Sequence, residues 1–222
     1  MPFQSLWAFE RGALWAMDLD GALPAAARSH TAATFSEAAP GAEEALAAAM
    51  GLAGSRAVQR RFAAGSRCFV ARIEGAITGY GWVSQGEEQI GELERVLRMR
   101  PGEAYIWDCA TLEPFRRQGI YSGLLAHIAA TLRREGLQRL WIGASLGNRP
   151  SLRGFASAGF QPVITILYIR LLRVSHSWLV GAASAPPALV ADARRALVAS
   201  HDTRAGQPMT DHARERGSLH HG

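Results

Sequence analysis

The sequence predicts an α/β (α+β) protein in which antiparallel strands and one buried central strand are flanked by helices. Two observations predict this class. Short segments rich in β-branched and aromatic residues are separated by turns that contain glycine. Between them lie alanine- and leucine-rich segments whose apolar residues recur at helical spacing. At 222 residues, the chain is long enough for one sizeable domain with a short appendage.

The first half of the chain is predicted to form a strand, a helical region and three adjacent antiparallel strands. Glu74-Gly75 splits two apolar segments as a hairpin turn would, and Pro101-Gly102 ends the third strand. The predicted segments are, in order, a strand over 12–19, helical sequence over 40–65, strands over 67–73 and 76–84, and a half-exposed strand over 90–99.

A buried strand, a tight turn and a helix form the predicted centre of the protein. Residues 103–112 are nearly continuous in apolar and β-favouring side chains, as in a strand that is buried on both faces. From Gly119 to Leu132, apolar residues recur at helical spacing, and Gly136 caps the end of this helix. A further strand is predicted over 137–145.

The remaining chain is predicted to hold a short helix with Pro150 near its start, a stop at Gly159-Phe160 and a strand that begins at Gln161. Beyond Ser175 the composition changes. The predicted organisation is one domain over 1–174, an extension with a short helix over 175–200, and a disordered tail over 201–222.

Composition narrows the classes of partner. The sequence contains no lysine and has a net charge of +5, which favours anionic partners such as phosphates. Its arginines are spread from Arg11 to Arg216 without a nucleic-acid-binding motif, so no nucleic acid is expected. The longest apolar run, Val163 to Ile169, is far shorter than the roughly 18 residues of a membrane span.

The two cysteines and the N-terminus indicate the compartment. Cys68 and Cys109 lie inside apolar runs, which predicts buried, reduced thiols in a cytoplasmic protein rather than a disulfide or a metal site. The first residues lack the pattern of a signal peptide. We expect a cytoplasmic protein without a metal.

The stretch "EPFRRQGIY" (113–121) is the most informative part of the sequence. A glycine that opens a helix after a buried strand lets phosphates approach the backbone, and the first-turn amides point at them. A solvated, arginine-rich helix start is the alternative interpretation. The residues of this predicted phosphate turn are Arg116, Arg117, Gln118, Gly119, Ile120, Tyr121 and Ser122.

Two motifs together resemble the GNAT superfamily of acyl-CoA N-acyltransferases. The first family motif is Arg or Gln, two residues, Gly, one residue, then Gly or Ala; here Arg116 and Gly119 match and Tyr121 takes the last, small position. The second is an asparagine before a short helix that ends in Gly-Phe, here "NRPSLRGFASAGF" with Asn148 and Ser151. The resemblance covers about 67–163.

The resemblance implies a mixed, mostly antiparallel sheet that splays at two central parallel strands, flanked by helices. Acyl-CoA would be the co-substrate, with its pyrophosphate on the phosphate turn and with Asn148 and Ser151 nearby. Its pantetheine arm would pair with backbone near Ala110 and Leu112. The acceptor would be a small amine that attacks the thioester directly, with acetyl as the default acyl group. The resemblance leaves a homodimer open.

Three residues are candidates for proton transfer. The family often uses a tyrosine as the acid at the position of Phe155, so Tyr121, Tyr105 and Asp108 are considered instead. Strand alternation predicts Tyr105, Trp107 and Cys109 on one face and Asp108 on the other. An aspartate in so apolar a strand is either a catalytic carboxylate in a cleft or a structural aspartate paired with an arginine or a backbone donor.

Two further functions stay open. The missing tyrosine at Phe155 suggests a catalytically weak CoA-binding or regulatory module. The apolar stretch 163–174 and its neighbouring basic residues suggest transfer of a longer acyl chain to a lipid or cell-envelope amine, although an ordinary buried strand would have the same composition.

Overall fold

A computed structural model describes residues 7–21, 32–90, 95–171 and 174–199. The predicted tail over 201–222 lies outside these residues. The strands are β1 (Trp7–Asp18), β2 (Thr34–Glu37), β3 (Arg67–Ile73), β4 (Ala76–Ser84), β5 (Glu87–Ile90), β6 (Arg95–Arg98), β7 (Glu103–Thr111), β8 (Arg139–Ser145), β9 (Gln161–Leu171), β10 (Val174–Gly181) and β11 (Leu197–Ala199). The helices are α1 (Glu43–Ala49), α2 (Arg56–Ala63), α3 (Ile120–Arg134), α4 (Arg149–Ala158) and α5 (Pro187–Ala196).

The main sheet has eight strands in the order β10-β9-β1-β8-β7-β4-β3-β2. Only β7 and β8 are parallel, and every other neighbouring pair in this sheet is antiparallel. This mixed, mostly antiparallel sheet between helices confirms the predicted fold class. The single parallel pair is joined through α3, as a parallel connection requires a long crossover.

The prediction of three adjacent antiparallel strands is wrong for the third strand. The predicted hairpin forms as β3 and β4, but β6 pairs with β5 and β11 in a separate three-stranded sheet. The position beside β4 is taken by β7. Alternation along the sequence identified a strand, but it contains no information about which neighbour the strand will have. Residues 91–94 of that predicted strand lie outside the described residues.

The sheet separates two apolar cores. One lies under α1, α2 and α5 and includes the fully buried Trp82 and Trp141. The other lies under α3 and α4 and includes Phe69 and Phe155. We call them the α2 side and the α3 side of the sheet. In the described part of the chain, none of the helices is long and apolar enough to cross a membrane.

The parallel pair is tightly held at one end, which we call the clamped end (residues 103–106 of β7 and 139–142 of β8). Four residue pairs, from Glu103 with Arg139 to Ile106 with Ile142, align there. The buried Glu103 accepts a hydrogen bond from Trp141 Nε1 at 3.0 Å, and Arg139 lies 3.1 Å from Asp192 of α5. Polar contacts therefore fix this end of the pair and attach α5 to it.

Candidate active site

The opposite end of the parallel pair separates, and we call it the open end (residues 107–111 of β7 and 143–145 of β8). Pairing between the two strands stops at Ile106 and Ile142. Beyond that point, among the residues that the structure describes, β7 pairs only with β4, and β8 pairs only with β1. The edge of β7 that faces the gap therefore has backbone groups available to an extended, amide-containing ligand.

A β-bulge reshapes β7 at the open end. The register with β4 shifts between Tyr80 and Trp82, so that Asp108 and Cys109 together stand opposite one residue, and Asp108 has a φ of 42°. A bulge places two consecutive side chains on one side of the sheet. Left-handed backbone costs a non-glycine residue about 1–3 kcal/mol, and such residues often cluster at functional sites.

The bulge overturns the predicted alternation of side chains. Tyr105 and Trp107 pack in the core on the α2 side, as alternation predicts, but Cys109 packs on the α3 side, where its Sγ lies close to Gly81. Asp108 instead lies on the α2 side together with Trp107, as its ion pair with Arg61 of α2 shows. The prediction failed because a period of two holds only while the ladder is regular.

Asp108 forms an ion pair with Arg61 of α2, whose Nη1 lies 2.5 Å from Asp108 Oδ2. The Arg61 side chain is only 9% exposed and the Asp108 side chain 19%. The guanidinium lies over two indole rings, 5.1 Å from the centroid of Trp82 and 4.7 Å from that of Trp107. Asp108 therefore has an arginine partner, as expected if its role is structural. Part of its side chain is still exposed, so a catalytic role stays possible in geometry.

Arg61 is a site residue that the sequence analysis missed. It stands among Arg56 and Arg60 in α2, and such a run of arginines is typical of a solvated helix face. One signal could have found it: Arg61 follows the buried Val58 by three residues, so the two lie on the same face of the helix.

The phosphate turn lies directly beyond the open end. After β7 and a short 3-10 helix (Glu113–Phe115), Arg117 has a φ of 64° and Gly119, the N-cap of α3, has a φ of 76°. Gly123 N donates to Gly119 O at 2.9 Å as the first backbone bond of α3. The N–H groups of residues 120–122 precede that bond, so they have no acceptor within the helix.

This turn has the electrostatics of an anion site. The N-terminus of α3 is the positive end of the helix dipole, and the side chains of Arg116 and Arg117 are exposed beside it. Gln118 Nε2 donates to Pro114 O at 3.4 Å, which ties the turn to the preceding 3-10 helix. Ser122 is buried and donates its hydroxyl to Gly119 O at 3.1 Å.

The other predicted ligand residues have contacts of their own. Asn148 Oδ1 accepts a hydrogen bond from Ser151 N at 3.2 Å and so caps α4. Ala110 pairs with Tyr80 on β4. Leu112 donates its N–H to Thr78 O at 2.9 Å and accepts from Phe115 N at 2.9 Å. The unpaired part of the β7 edge therefore ends before Leu112.

Tyr121 fills the space between α3 and α4. Its ring stacks on Phe155, with centroids 6.3 Å apart and planes at 26°. It also covers Gly154, where an added Cβ would lie only 2.4 Å from Tyr121 Cδ1. Burial, followed by the charge of Cys109, raises the pKa of Tyr121 well above its ordinary value, whereas the hydrogen-bonding influence of Ser151 opposes this rise.

Tyr105 reaches the gap from the α2 side. Its side chain is almost fully buried, and its hydroxyl lies beside Gly143 of β8, where an added Cβ would be 3.2 Å away. Ionisation of Tyr105 would raise the pKa of Tyr121, so the two hydroxyl groups are electrostatically coupled. The Tyr105 hydroxyl thus reaches the open end although its backbone belongs to the clamped end, and it lies with Asp108 on the α2 side, whereas Tyr121 lies on the α3 side.

The two cysteines are poor nucleophiles. Burial raises the pKa of the Cys68 thiol to about 12, and burial followed by the charge of Asp108 raises the pKa of Cys109 far above its ordinary range. Because the thiolate is the reactive form, neither thiol is activated for attack. Both are free, as the sequence predicted.

Comparison with known proteins identifies the fold. The family model described as acetyltransferase (GNAT) family matches residues 33–160. A GCN5-related N-acetyltransferase from Sphaerobacter thermophilus is similar with a TM-score of 0.55 and 18% identity, over 76% of this chain and 54% of that one. A GNAT-family acetyltransferase from Colwellia psychrerythraea is similar with a TM-score of 0.51 and 14% identity, over 73% of this chain and 56% of that one.

A third similar structure is part of a larger enzyme. It is the GCN5-related glucosamine N-acetyltransferase region of a fungal multi-domain GH3 β-N-acetylglucosaminidase, with a TM-score of 0.54 and 14% identity, over 72% of this chain and 21% of that one. The chain thus spans little more than half the length, or less, of these three structures. A search among proteins of curated function found no match. At these identities the likeness concerns the fold.

Proposed function

The chain belongs to the acetyltransferase (GNAT) family, and on that premise we propose that it transfers an acyl group, acetyl by default, from acyl-CoA to a primary amine by direct attack. The observation that carries the proposal is the open end of the β7–β8 pair, with the phosphate turn directly beyond it. A free strand edge and a cluster of helix amides are what a ligand with both a peptide-like arm and a pyrophosphate requires.

The binding roles follow from the available backbone groups. The amides of residues 120–122 and the exposed Arg116 and Arg117 are proposed to hold the pyrophosphate. The β7 edge, including Ala110, is proposed to pair with the pantetheine arm, and Asn148 and Ser151 are proposed to line the same cleft. The contact expected at Leu112 is narrowed to its side chain, because its N–H and C=O are bonded within the protein.

The chemical step needs three kinds of group. The amine nitrogen forms a bond to the thioester carbonyl carbon, the carbon–sulfur bond breaks, the nitrogen loses a proton and the thiolate gains one. A backbone amide near Cys109 or Ala110 is proposed to polarise the carbonyl. Asp108, fixed by Arg61, is proposed to accept the proton that the acceptor amine loses, and Tyr121 to supply the proton to sulfur. Tyr105 remains an alternative proton acceptor.

The experiment is release of CoA thiol from acetyl-CoA in the presence of a panel of primary amines. We expect amine-dependent release, with the acyl-amine product detected by mass spectrometry. Acyl-CoA binding without release for every amine would instead support a CoA-binding or regulatory module, the function suggested by Phe155. A cytoplasmic location belongs to the same proposal, because unpaired thiols are typical of reducing compartments.

One observation favours a second candidate, transfer of a longer acyl chain to a lipid amine. In the described part of the chain, the exposed large apolar side chains lie together on β1, β9 and β10: Phe9, Ile169, Leu171, Val174, Trp178 and Val180. Exposed apolar surface of this kind suits an apolar partner. Activity that requires detergent or vesicles, and that rises with acyl chain length, would support this function over transfer to a small soluble amine.

A further inference from the structure

The backbone at Asp108 has a conformation that a non-glycine residue seldom adopts. Its φ of 42° belongs to the left-handed region, and the register between β7 and β4 shifts at the same place. Strained conformations of this kind persist only where surrounding contacts hold them. Such a contact comes from α2, because Arg61 forms a partly buried ion pair with the Asp108 carboxylate.

Arg61 reaches the bulge across a surface of two indole rings. Trp82 and Trp107 stand opposite each other on β4 and β7, with ring centroids 5.9 Å apart. The guanidinium lies over both rings, at 5.1 Å and 4.7 Å from their centroids. A guanidinium is planar, so it can stack on aromatic faces and still point its N–H groups at a carboxylate. The indoles therefore limit the positions from which Arg61 can bind Asp108.

Hydrogen bonds fix this indole surface relative to α2. Trp107 Nε1 donates to Ser84 Oγ at 2.8 Å, and Ser84 Oγ lies 3.1 Å from Ser66 Oγ. Ser66 N in turn donates to Arg61 O at 3.0 Å. The backbone of Arg61 and the ring under its guanidinium thus belong to one connected set of contacts, which couples α2 to the bulged strand.

We propose that Arg61 is a positioning residue that binds Oδ2 of Asp108 and thereby presents Oδ1 to the acceptor amine. This inference rests on the proposed acyl transfer. Arg61 Nη1 lies 2.5 Å from Oδ2, and in the described part of the chain no hydrogen bond reaches Oδ1. In the step, an N–H bond of the amine breaks and an O–H bond forms at Oδ1, and water then takes that proton. Arg61 stays protonated throughout.

This role predicts how substitutions of Arg61 differ. Methionine keeps apolar contact with the indoles but removes the charge and the N–H groups. Lysine keeps the charge but has no planar group to stack on the rings. Both variants should leave acyl-CoA binding intact, because Arg61 lies on the α2 side of the sheet, whereas the phosphate turn opens α3 on the other side. They should therefore lower kcat without lowering CoA affinity.

The first test is steady-state kinetics, with CoA affinity measured by calorimetry. Asp108→Asn should lower kcat by about 100-fold, Arg61→Met by about 30-fold and Arg61→Lys by about 5-fold, all with little change in the KM for acetyl-CoA. Because Arg61 acts through Asp108, adding Arg61→Met to Asp108→Asn should lower kcat no further. Arg56→Met, at an exposed arginine of the same helix, should leave kcat unchanged.

Guanidinium ion provides a second test, which a merely structural role would not pass. In Arg61→Ala, the ion can occupy the place over the indoles that the side chain has left. Low, non-denaturing concentrations should then raise kcat of this variant by at least about threefold, whereas sodium chloride at the same ionic strength should not. If the alanine variant does not fold, Arg61→Lys, which keeps the charge, decides the role.

The possible outcomes are separable. A wild-type protein that releases no CoA with any amine removes the proposed function, and this inference with it. With an active wild type, three results each overturn the role of Arg61 alone: a normal kcat in a folded Arg61→Lys or Asp108→Asn variant, a double variant in which the two losses multiply, or a folded Arg61→Ala variant that guanidinium does not rescue. Thermal unfolding and CoA affinity of each variant identify any loss of rate that comes from loss of fold.

Discussion

The two ends of the β7–β8 pair are built from the same two strands and have opposite properties. At the clamped end, four residue pairs are aligned and the buried Glu103 joins Trp141, Arg139 and the backbone of Arg100. At the open end, the strands have no pairing with each other, β7 is bulged, and Asp108 holds a left-handed backbone. One end satisfies its polar groups internally, while the other leaves backbone groups for a ligand.

The difference shows how a rigid sheet can carry an open site. Parallel strands that diverge within a sheet lose ladder hydrogen bonds, and those groups would be costly to bury without a partner. The clamped end holds the strands in register, so the gap beyond Ile106 and Ile142 has a defined width. Substitutions at the open end should accordingly weaken ligand binding, whereas substitutions at the clamped end should lower stability.

The largest expected effect is at the phosphate turn. Gly119→Glu should weaken acyl-CoA binding by at least about 100-fold, because a carboxylate would stand beside the pyrophosphate. Gly119→Ala is the matched control: it carries the same left-handed backbone cost, about 1–2 kcal/mol, without the charge. Isothermal titration calorimetry with CoA measures both. Equal affinities of the Glu variant and the wild type for CoA would show that the pyrophosphate does not bind at this turn.

The next effect is at the clamped end. Glu103→Ala should lower the free energy of unfolding by about 3 kcal/mol, because Trp141 Nε1 and Arg100 N lose their acceptor and Arg139 loses a partner. Urea unfolding measures the loss, and CoA affinity should not change. Glu87→Ala, which breaks an exposed pair with Arg98, should cost less than about 1 kcal/mol. A Glu103 variant with normal stability would mean that this end is not clamped by its polar contacts.

A third substitution tests the fit of Tyr121 at the open end. Gly154→Ala should destabilise the protein by about 1–3 kcal/mol through overlap with the Tyr121 ring. In a Tyr121→Ala background the same change should become neutral or stabilising, because alanine is the better helix former by about 1 kcal/mol. The sign is read from urea unfolding of the four proteins. Destabilisation of the same size in both backgrounds would contradict the packing of Tyr121 against Gly154.

The smallest expected effect is a pH dependence of the stability that the clamped end contributes. Burial raises the pKa of Asp192, but its hydrogen bond with Arg139 and the charges of Arg100 and Arg195 outweigh burial and lower the pKa below the ordinary value of 3.8. The unfolded chain therefore binds the proton first as the pH falls. The stabilisation is complete above about pH 5 and is lost as the pH falls through the folded-state pKa.

Asp192→Asn measures this contribution. The variant should be less stable than the wild type at pH 7, by about 1 kcal/mol or less for a partly exposed pair, and the difference should shrink below pH 4. Unfolding by urea at several pH values gives the comparison. A difference that is constant with pH would show that the carboxylate charge has no part in the clamp.

Much of the fold was predictable because the residues that begin and end its helices and strands lie within those elements or next to them. The β3–β4 hairpin, β7, the turn at Gly119 and α3 each have their signals within a few residues. What a strand pairs with is decided at longer range. For this reason β6 was wrongly predicted to lie beside β4. For the same reason β2 and β10, the two edge strands of the main sheet, were not predicted.

The candidate site was predictable only in part. Glycines and a helix start predicted a turn before a helix at Gly119, and the structure has that turn. The bulge at Asp108 has no signature in "YIWDCAT", and it moved side chains such as Asp108 and Cys109 to unexpected sides of the sheet. The roles of Arg61 and Glu103 could not be predicted from the sequence, because their burial depends on partners that lie 47 and 38 residues away.

Hydrogen exchange of the wild-type protein with and without CoA, followed by mass spectrometry, tests the central claim most directly. If the open end is the acyl-CoA site, CoA will slow exchange in peptides that cover 107–122, and will leave those that cover 187–196, which pack at the clamped end, unchanged. Protection confined to the clamped end, or an absence of protection over 107–122 at saturating CoA, would contradict it.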